Sequence, residues 1–393
     1  MSRSLLDYDV LCLSHLRWET TLFQRPQQLM KQFAAMGARV SYLSQMSTRR
    51  WIAALLRGRW SELRGAVGPN LSWRSWPYLP GVCHSRLVES ANNAFYHLCV
   101  RFFLALHRRR PVLLWVYHPS AALLLDKLRF DLLVYDCMDP FVAFRAEQIK
   151  ERVERQERQL IRRADAVFTG GLSLQAAKQG INLRTYCFPS GVDLDHFAQA
   201  LNPTRLAPPA DVARLPHPIL GYWGAVDERI DFGLLGQLCR KFPSGSVVLL
   251  GPLVGMAHPP LDLPNFHWLG EKEYAQLPAY LAAFDVCLMP FVRSALTASI
   301  SPTKTPEYLA GGRPVVSTAV PDVARVWGDV VAIAETAEAF VAAVERELRR
   351  PRPDPQLTEA ARRRAATWES IAGDMRARIE EAMAEKGAPA GPI

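Results

Sequence analysis

Between Ser299 and Thr318 the chain reads SISPTKTPEYLAGGRPVVST, and Lys304 stands three residues before Glu307. On a helix that spacing puts both side chains on one face, about a turn apart. The stretch has the marks of a short helix. Ser301, Pro302 and Thr303 lead in, Pro306 suits a first turn where its missing N–H is not needed, and Gly311-Gly312 supply a left-handed stop. Val315-Val316 then read as a buried parallel strand. A cation beside the unsatisfied N–H groups of a helix start suits a phosphate. A carboxylate one turn on can accept hydrogen bonds from the vicinal hydroxyls of a ribose. The residues alone allow two readings: a nucleoside diphosphate socket built from Ser301, Thr303, Lys304 and Glu307, or a solvated ion pair on a helix joining two strands.

Three other places hold groups able to do chemistry. The apolar run PVLLWVYHPSAA (111–122) stops on Tyr117-His118-Pro119, and DLLVYDCMDPF (131–141) stops on Asp136 and Asp139. Polar groups at the carboxyl ends of parallel strands are where an α/β enzyme keeps reactive side chains. His118 could act as a general base, touch a sugar, or cap the next helix. Asp139 could take a proton from a hydroxyl, or merely turn the chain before Pro140. Asp136 reads as structural. The third place is ILGYWG (219–224), a strand whose Gly224 opens a loop carrying Asp227, Glu228 and Arg229.

Strands and helices alternate along most of the chain, as the framework these residues require. VLCLS is followed by a helix opening at Pro26, with Leu29, Met30, Phe33 and Met36 on one face and Gly37 at its end, and then by RVSYLS. This is the first half of a doubly wound sheet, and its first loop lacks G-x-G-x-x-G, which counts against an NAD or FAD enzyme. A charged helix over 145–163 reads as a solvated face. Later strands are expected at ADAVFTGG, TYCFPSGVDLDHF, SVVLLGP, NFHWLG and DVCLMPF. The Pro-rich stretch 201–217 reads as a linker. It separates a first domain, 1–200, from a second, 218–367, and the segment after Thr367 is a helix.

The 393 residues fit two domains of ordinary size. Hydrophobic residues make up 49% and charged residues 22%, which excludes disordered and fibrous classes. No run of eighteen apolar residues occurs, and a start this short and polar is not expected to act as a signal peptide. Seven cysteines without a C-x-x-C pair point to buried thiols and a cytoplasmic location. The net charge of +9 divides into +11 for residues 1–200 and −2 for the rest. RRWIAALLRGRW (49–60) and RFFLALHRRR (101–110) mix arginine with apolar residues at helical spacing. Such helices suit an anionic membrane surface, or a basic face packed on its own core. No nucleic-acid module is visible, so no nucleic-acid partner is expected.

Pro302, Lys304, Glu307, Tyr308, Ala310, Gly312, Pro314, Val315 and Val316 stand in the register of P-x-K-x-x-E-Y-x-A-x-G-x-P-V-V. The stretch resembles the donor-nucleotide motif of GT-B glycosyltransferases. The Gly-Val-Asp-x-x-x-Phe at 191–197 is a second point of likeness. A third is Arg25, Pro26, Gln27 and Leu29, similar to bacterial glycosyltransferases of teichuronic-acid and exopolysaccharide assembly. The resemblance implies an α/β chain of two Rossmann-like doubly wound domains facing a cleft, with the C-terminal helix (368–388) crossing back to the first. It implies transfer of a sugar from a UDP- or GDP-linked donor to a glycan or lipid-linked acceptor in cell-surface polysaccharide synthesis. It further implies that Arg229, with Gly224, Ser301, Thr303, Lys304 and Glu307, meets the donor. No cofactor beyond the nucleotide sugar is expected, and no metal.

The chain departs from the family pattern at one position. Retaining GT-B enzymes carry a second glutamate eight residues before the first, and here that position is Ser299. The stereochemistry is thereby left open. An inverting reaction would need a base, for which Asp139 and His118 stand ready. Two other classes share the expected architecture: a nucleotide-sugar epimerase, and a non-catalytic nucleotide-sugar-binding partner.

Overall fold

A computed structural model describes residues 4–387 apart from 20–22, 80–85, 108, 143–146, 203, 205, 295 and 301–302. It divides into two compact units, one comprising residues 1–188 and 368–393, the other residues 189–367.

The first unit is built on β1 (Asp9–Leu13), β2 (Arg39–Ser47), β3 (Arg64–Val67), β4 (Leu71–Tyr78), β5 (Val112–Val116), β6 (Leu132–Cys137), β7 (Ala166–Thr169) and β8 (Thr185–Cys187). They form one sheet in the order β3-β4-β2-β1-β5-β6-β7-β8, parallel except for the β3–β4 pair. The strand order reverses between β1 and β5, whose registers run Asp9 opposite Val112 to Leu13 opposite Val116. Helices α1 (Arg25–Ala35), α2 (Thr48–Leu56), α3 (Arg86–His107), α4 (Glu147–Arg163) and α5 (Leu172–Gln179) connect them. Side chains alternate along the strands. Val10 and Cys12 therefore face the core under α1, while Leu11 and Leu13 face the core under α3 and α4. The charged run of α4 makes one solvated face, and its other face is buried. Glu157 is buried on its inner face, paired with Lys178 at 2.9 Å and accepting from the Tyr135 hydroxyl.

The second unit holds β9 (Ile219–Trp223), β10 (Ser246–Leu250), β11 (Phe266–Trp268), β12 (Val286–Met289), β13 (Val315–Thr318) and β14 (Ala332–Ala334). Its order is β11-β10-β9-β12-β13-β14, parallel throughout, so that in chain order it reads 3-2-1-4-5-6. Every residue of β9, β10, β12 and β13 is buried, as expected of strands covered on both faces. Helices α6 (Leu194–Ala198), α7 (Phe232–Lys241), α8 (Leu277–Ala283), α9 (Lys304–Ala310), α10 (Pro321–Trp327), α11 (Ala337–Glu347) and α12 (Pro355–Arg364) complete it.

The boundary lies at 188/189 rather than at residue 200. The Gly-Val-Asp ending carries α6, which packs within the second unit: Phe197 stacks on Trp223 at 5.8 Å and His196 on Tyr274 at 4.4 Å. The stretch expected as a linker is also part of that unit, because Val212 is wholly buried in its core. The last helix, α13 (Trp368–Gly387), returns to the first unit. There Ile371, Met375 and Ile379 join the core beneath α1, and Glu380 accepts from Leu5 N–H and Ser4 Oγ.

Candidate functional site

The polar groups singled out in the second unit converge at the carboxyl ends of β9 and β12, where its strand order reverses. Open parallel sheets hold ligands at such a point. Helix α9 begins at Lys304 and ends in a Schellman turn: Arg313 N–H donates to the Tyr308 carbonyl (3.1 Å) and Gly312 N–H to that of Leu309 (2.9 Å). Gly312 alone takes the left-handed conformation (φ 65°). Gly311 is there for closeness, since a Cβ on it would overlap the Leu281 side chain. The helix has only seven residues, Thr303 makes no side-chain cap, and Ser301 lies outside the described residues. The expected phosphate site therefore rests on Lys304 more than on a helix terminus.

Lys304 lies across the backbone of Gly224. A Cβ there would overlap Lys304 Cε and come within 2.9 Å of Nζ, and the φ of 143° is one that other residues rarely adopt. The ammonium sits 5.9 Å from the centre of the Tyr222 ring. Arg229 comes from the loop after Gly224 and is held by its own neighbour. Its Nε donates to both Asp227 oxygens (2.9 and 3.0 Å) and its Nη2 to Oδ2 (2.6 Å). The loop is itself fixed: Gly224 N–H donates to Leu250, Val226 to Pro252, and Val292 N–H to Arg229. Burial pushes the Tyr222 hydroxyl up; the charge of Arg229 opposes that shift and the charge of Asp227 adds to it.

Glu307 points its carboxylate at the same edge and accepts from Trp223 Nε1 at 3.0 Å. Tyr308, next to it, accepts the Trp223 amide N–H on its hydroxyl (3.0 Å) and meets the Trp223 ring edge-on at 4.3 Å. Although the residue keeps some exposed surface, burial of the carboxyl pushes its pKa up to about 7, against the opposing pull of Lys304 and Trp223. The arrangement offers two cations, a glycine-cleared strip of backbone, and a carboxyl one turn along. Those parts can hold a diphosphate and a pair of hydroxyls. Trp223 and Tyr222 were not anticipated; their only trace in the sequence is the Tyr-Trp pair directly before Gly224.

Residues 249–350, from β10 to α11, match the family model described as glycosyl transferases group 1. Sucrose-phosphate synthase from Thermosynechococcus elongatus has a similar structure, with a TM-score of 0.73 at 17% identity over 96% of this chain and 100% of that one. An E. coli structure titled trehalose-6-phosphate, bound with UDP-2-fluoro glucose, gives 0.67 at 12% identity over 95% and 99%. The chain has the GT-B fold. Among curated proteins it is similar to TuaH of Bacillus subtilis (strain 168), named as a teichuronic acid biosynthesis glycosyltransferase, at 24% identity over 232 residues. That match spans 54% of this chain and 56% of TuaH, about half the length of the relative.

In this GT-B chain the unit 1 candidates also sit at a reversal of strand order, after β1, β5 and β6. His118 caps the 3-10 turn Pro119–Leu124: its Nδ1 accepts the Ser120 N–H at 3.2 Å and lies 2.8 Å from the Ser120 hydroxyl. With Nδ1 as acceptor, neutral His118 carries its proton on Nε2. Its ring lies 5.8 Å from that of His15 and 5.2 Å from that of Phe141. His15 is exposed, and the signal for it was its place directly after the first strand. Asp139 is half-buried, and its carbonyl accepts from Phe141 N–H.

Asp136 is structural, as the sequence suggested. It is fully buried and receives Arg25 Nε on both oxygens at 3.0 Å. Arg25 also donates to the Phe188 carbonyl (2.6 Å), while Gln27 donates to the Arg17 carbonyl (2.9 Å). The Arg-Pro-Gln triplet thus ties the β1–α1 loop and β8 into the core. Among the described residues no three His, Cys, Asp or Glu side chains cluster as a metal would require.

Proposed function

We propose that the chain is a glycosyltransferase taking a nucleotide diphosphate sugar as donor, with Lys304 and Arg229 toward the diphosphate and Glu307 accepting from the ribose hydroxyls. The observation that carries this reading is Lys304 laid over the bare backbone of Gly224, with Glu307 held by Trp223 at the same strand end. Breaking a glycosyl–phosphate bond leaves negative charge on the departing diphosphate, and fixed cations stabilise it as it forms. Two side-chain cations can do so without a metal, so a chelator is expected to leave turnover unchanged. Asp139 and His118 belong to the acceptor side: Asp139 as proton acceptor, His118 through its Nε2–H as a donor to a sugar oxygen. The acceptor is a glycan or a lipid-linked sugar of a cell-surface polysaccharide, which the likeness to TuaH supports.

The experiment is a panel of nucleotide sugars with and without lipid-linked or glycan acceptors. Release of nucleotide only when an acceptor is present supports transfer. A new sugar isomer formed without acceptor overturns it in favour of an epimerase, and binding with no turnover in favour of a non-catalytic partner. Lys304→Ala and Glu307→Ala chains that stay folded should bind the donor about tenfold or more weakly, the scale of one charge-assisted hydrogen bond. Parent-like binding by both variants overturns the site.

A further inference from the structure

Helix α3 is held to the first unit by one face only. Tyr96, Val100 and Phe103 are buried against the sheet, and Asn92 exchanges two hydrogen bonds with the backbone of Leu79. The opposite face is apolar as well. Leu87 (83% exposed), Phe95, Leu98 (62%), Phe102 (64%) and Leu106 follow one another along one side, with Ala91, Ala94 and Ala105 in the gaps. At the helical rise this stripe is about 28 Å long. Soluble surfaces rarely leave such a continuous apolar strip uncovered. The strip is flanked by exposed Arg101 and runs out into exposed Arg109 and Arg110.

A second patch repeats the pattern. On α2 and the 3-10 turn after it, Ile52, Leu56 (80% exposed) and Trp60 stand four residues apart, among exposed Arg49, Arg50, Arg57 and Arg59. Glu62 pairs with Arg59 at 2.8 Å and with Arg50 at 3.8 Å. Both helices pack on β4, the last long strand before the sheet ends in β3. The same region holds the excess of positive charge.

We propose that this edge of the first unit docks on an anionic lipid bilayer, with the outer stripe of α3 in the headgroup–acyl boundary and the arginines of α2 on the lipid phosphates. The occupant follows from charge and shape. An apolar stripe bordered by arginine, with tryptophan at the margin, matches a negatively charged interface. Two copies of so basic a face would repel each other. No helix of the described residues is long and apolar enough to cross a membrane, so α3 lies in the plane of the surface. The inference stands apart from the glycosyl-transfer reading, because it concerns neither the donor site nor turnover.

The test is flotation of the full chain with vesicles made of equal parts phosphatidylglycerol and phosphatidylcholine, compared with phosphatidylcholine alone. Binding is expected to the anionic vesicles and to weaken in high salt. Leu98→Glu/Phe102→Glu should lower the partition at least tenfold, the scale of withdrawing one large apolar side chain. Arg49→Gln/Arg57→Gln should lower it about fivefold per arginine. All four positions are exposed, so an unchanged thermal midpoint separates lost docking from lost folding. Equal binding by parent and Leu98→Glu/Phe102→Glu overturns the proposal. So does absence of binding to anionic vesicles, or a parent dimer in solution that the same charges dissolve. Donor binding measured in parallel keeps this result distinct from any failure of the functional reading.

Discussion

At Glu307 two demands oppose each other. The buried carboxyl titrates near 7 instead of in the ordinary range around 4.5, with burial as the largest cause. Because the folded state holds this proton more tightly than the unfolded chain, the group's contribution to stability is complete below about pH 4.5 and is lost as pH rises through 7. In the role proposed for Glu307, accepting from two ribose hydroxyls favours the carboxylate, so donor affinity should rise through pH 7. A nucleotide sugar has no phosphate ionisation in that range, and calorimetry across pH 5.5–8.5 therefore reads Glu307 itself. Trp223→Phe removes the Nε1–H that supports the charged form and should move the rise to higher pH. Glu307→Gln should flatten it, and a Gln variant that kept the rise would assign the titration elsewhere. Gly224 gives a second residue-scale prediction. Gly224→Ala puts a Cβ where Lys304 runs, so donor affinity should fall about as far as in Lys304→Ala, roughly ten- to a hundredfold. That Lys304 and Glu307 stand a turn apart was legible because one short helix sets their spacing. Trp223 was not, because its bond to Glu307 closes across 84 positions of sequence.

The strands of both sheets could be read as elements, since apolar β-branched runs buried on both faces have few other meanings. What escaped were elements whose burial is one-sided or whose partners are distant. Nothing in the sequence reading anticipated β3 and β4. The run LSWRSWPY alternates Leu71, Trp73 and Ser75 with Ser72, Arg74 and Trp76, and its arginine and tryptophans blend into the basic stretches on either side. The boundary at 188/189 escaped because α6 is five residues long and belongs where Phe197 and His196 find aromatic partners. Buried ion pairs were equally hidden, as Arg25 and Asp136 stand 111 residues apart. That pair carries the element-scale prediction. Arg25→Met leaves the Asp136 carboxyl in the core without its cation, and should cost about 3–5 kcal/mol in urea denaturation of the full chain. Arg25→Met/Asp136→Leu removes both charges and should recover much of that loss. A double variant no better than the single one would mean the loop ties of Arg25, and not the buried charge, set the cost.

Across the whole molecule, the chain builds two sheets by one plan and then sends its last helix back to the first. The α13 face that does this is narrow. Ile371, Met375, Ile379 and Met383 are buried at steps of four residues, with Ala372 beside the first, while exposed Arg378 and Glu381 pair with each other at 2.8 Å. Lys386 at its far end reaches Asp165 (2.9 Å) and the Asp131 carbonyl, anchoring the helix to the starts of β6 and β7. The first unit therefore contains residues from both ends of the chain, and its core under α1 is incomplete until residue 383 or so has been added. Ile379→Ala opens a cavity in that core and should cost about 2–5 kcal/mol there. Native-state hydrogen exchange on the intact chain can locate the loss, because opening free energies differ between cooperative units. Amides of β1 and β2 should exchange faster in the variant, while those of β9, β10 and β12 keep the protection of the parent. Equal loss in both sets would show that the two units open as one cooperative body, and the return helix would then stabilise the whole chain and not the first unit alone.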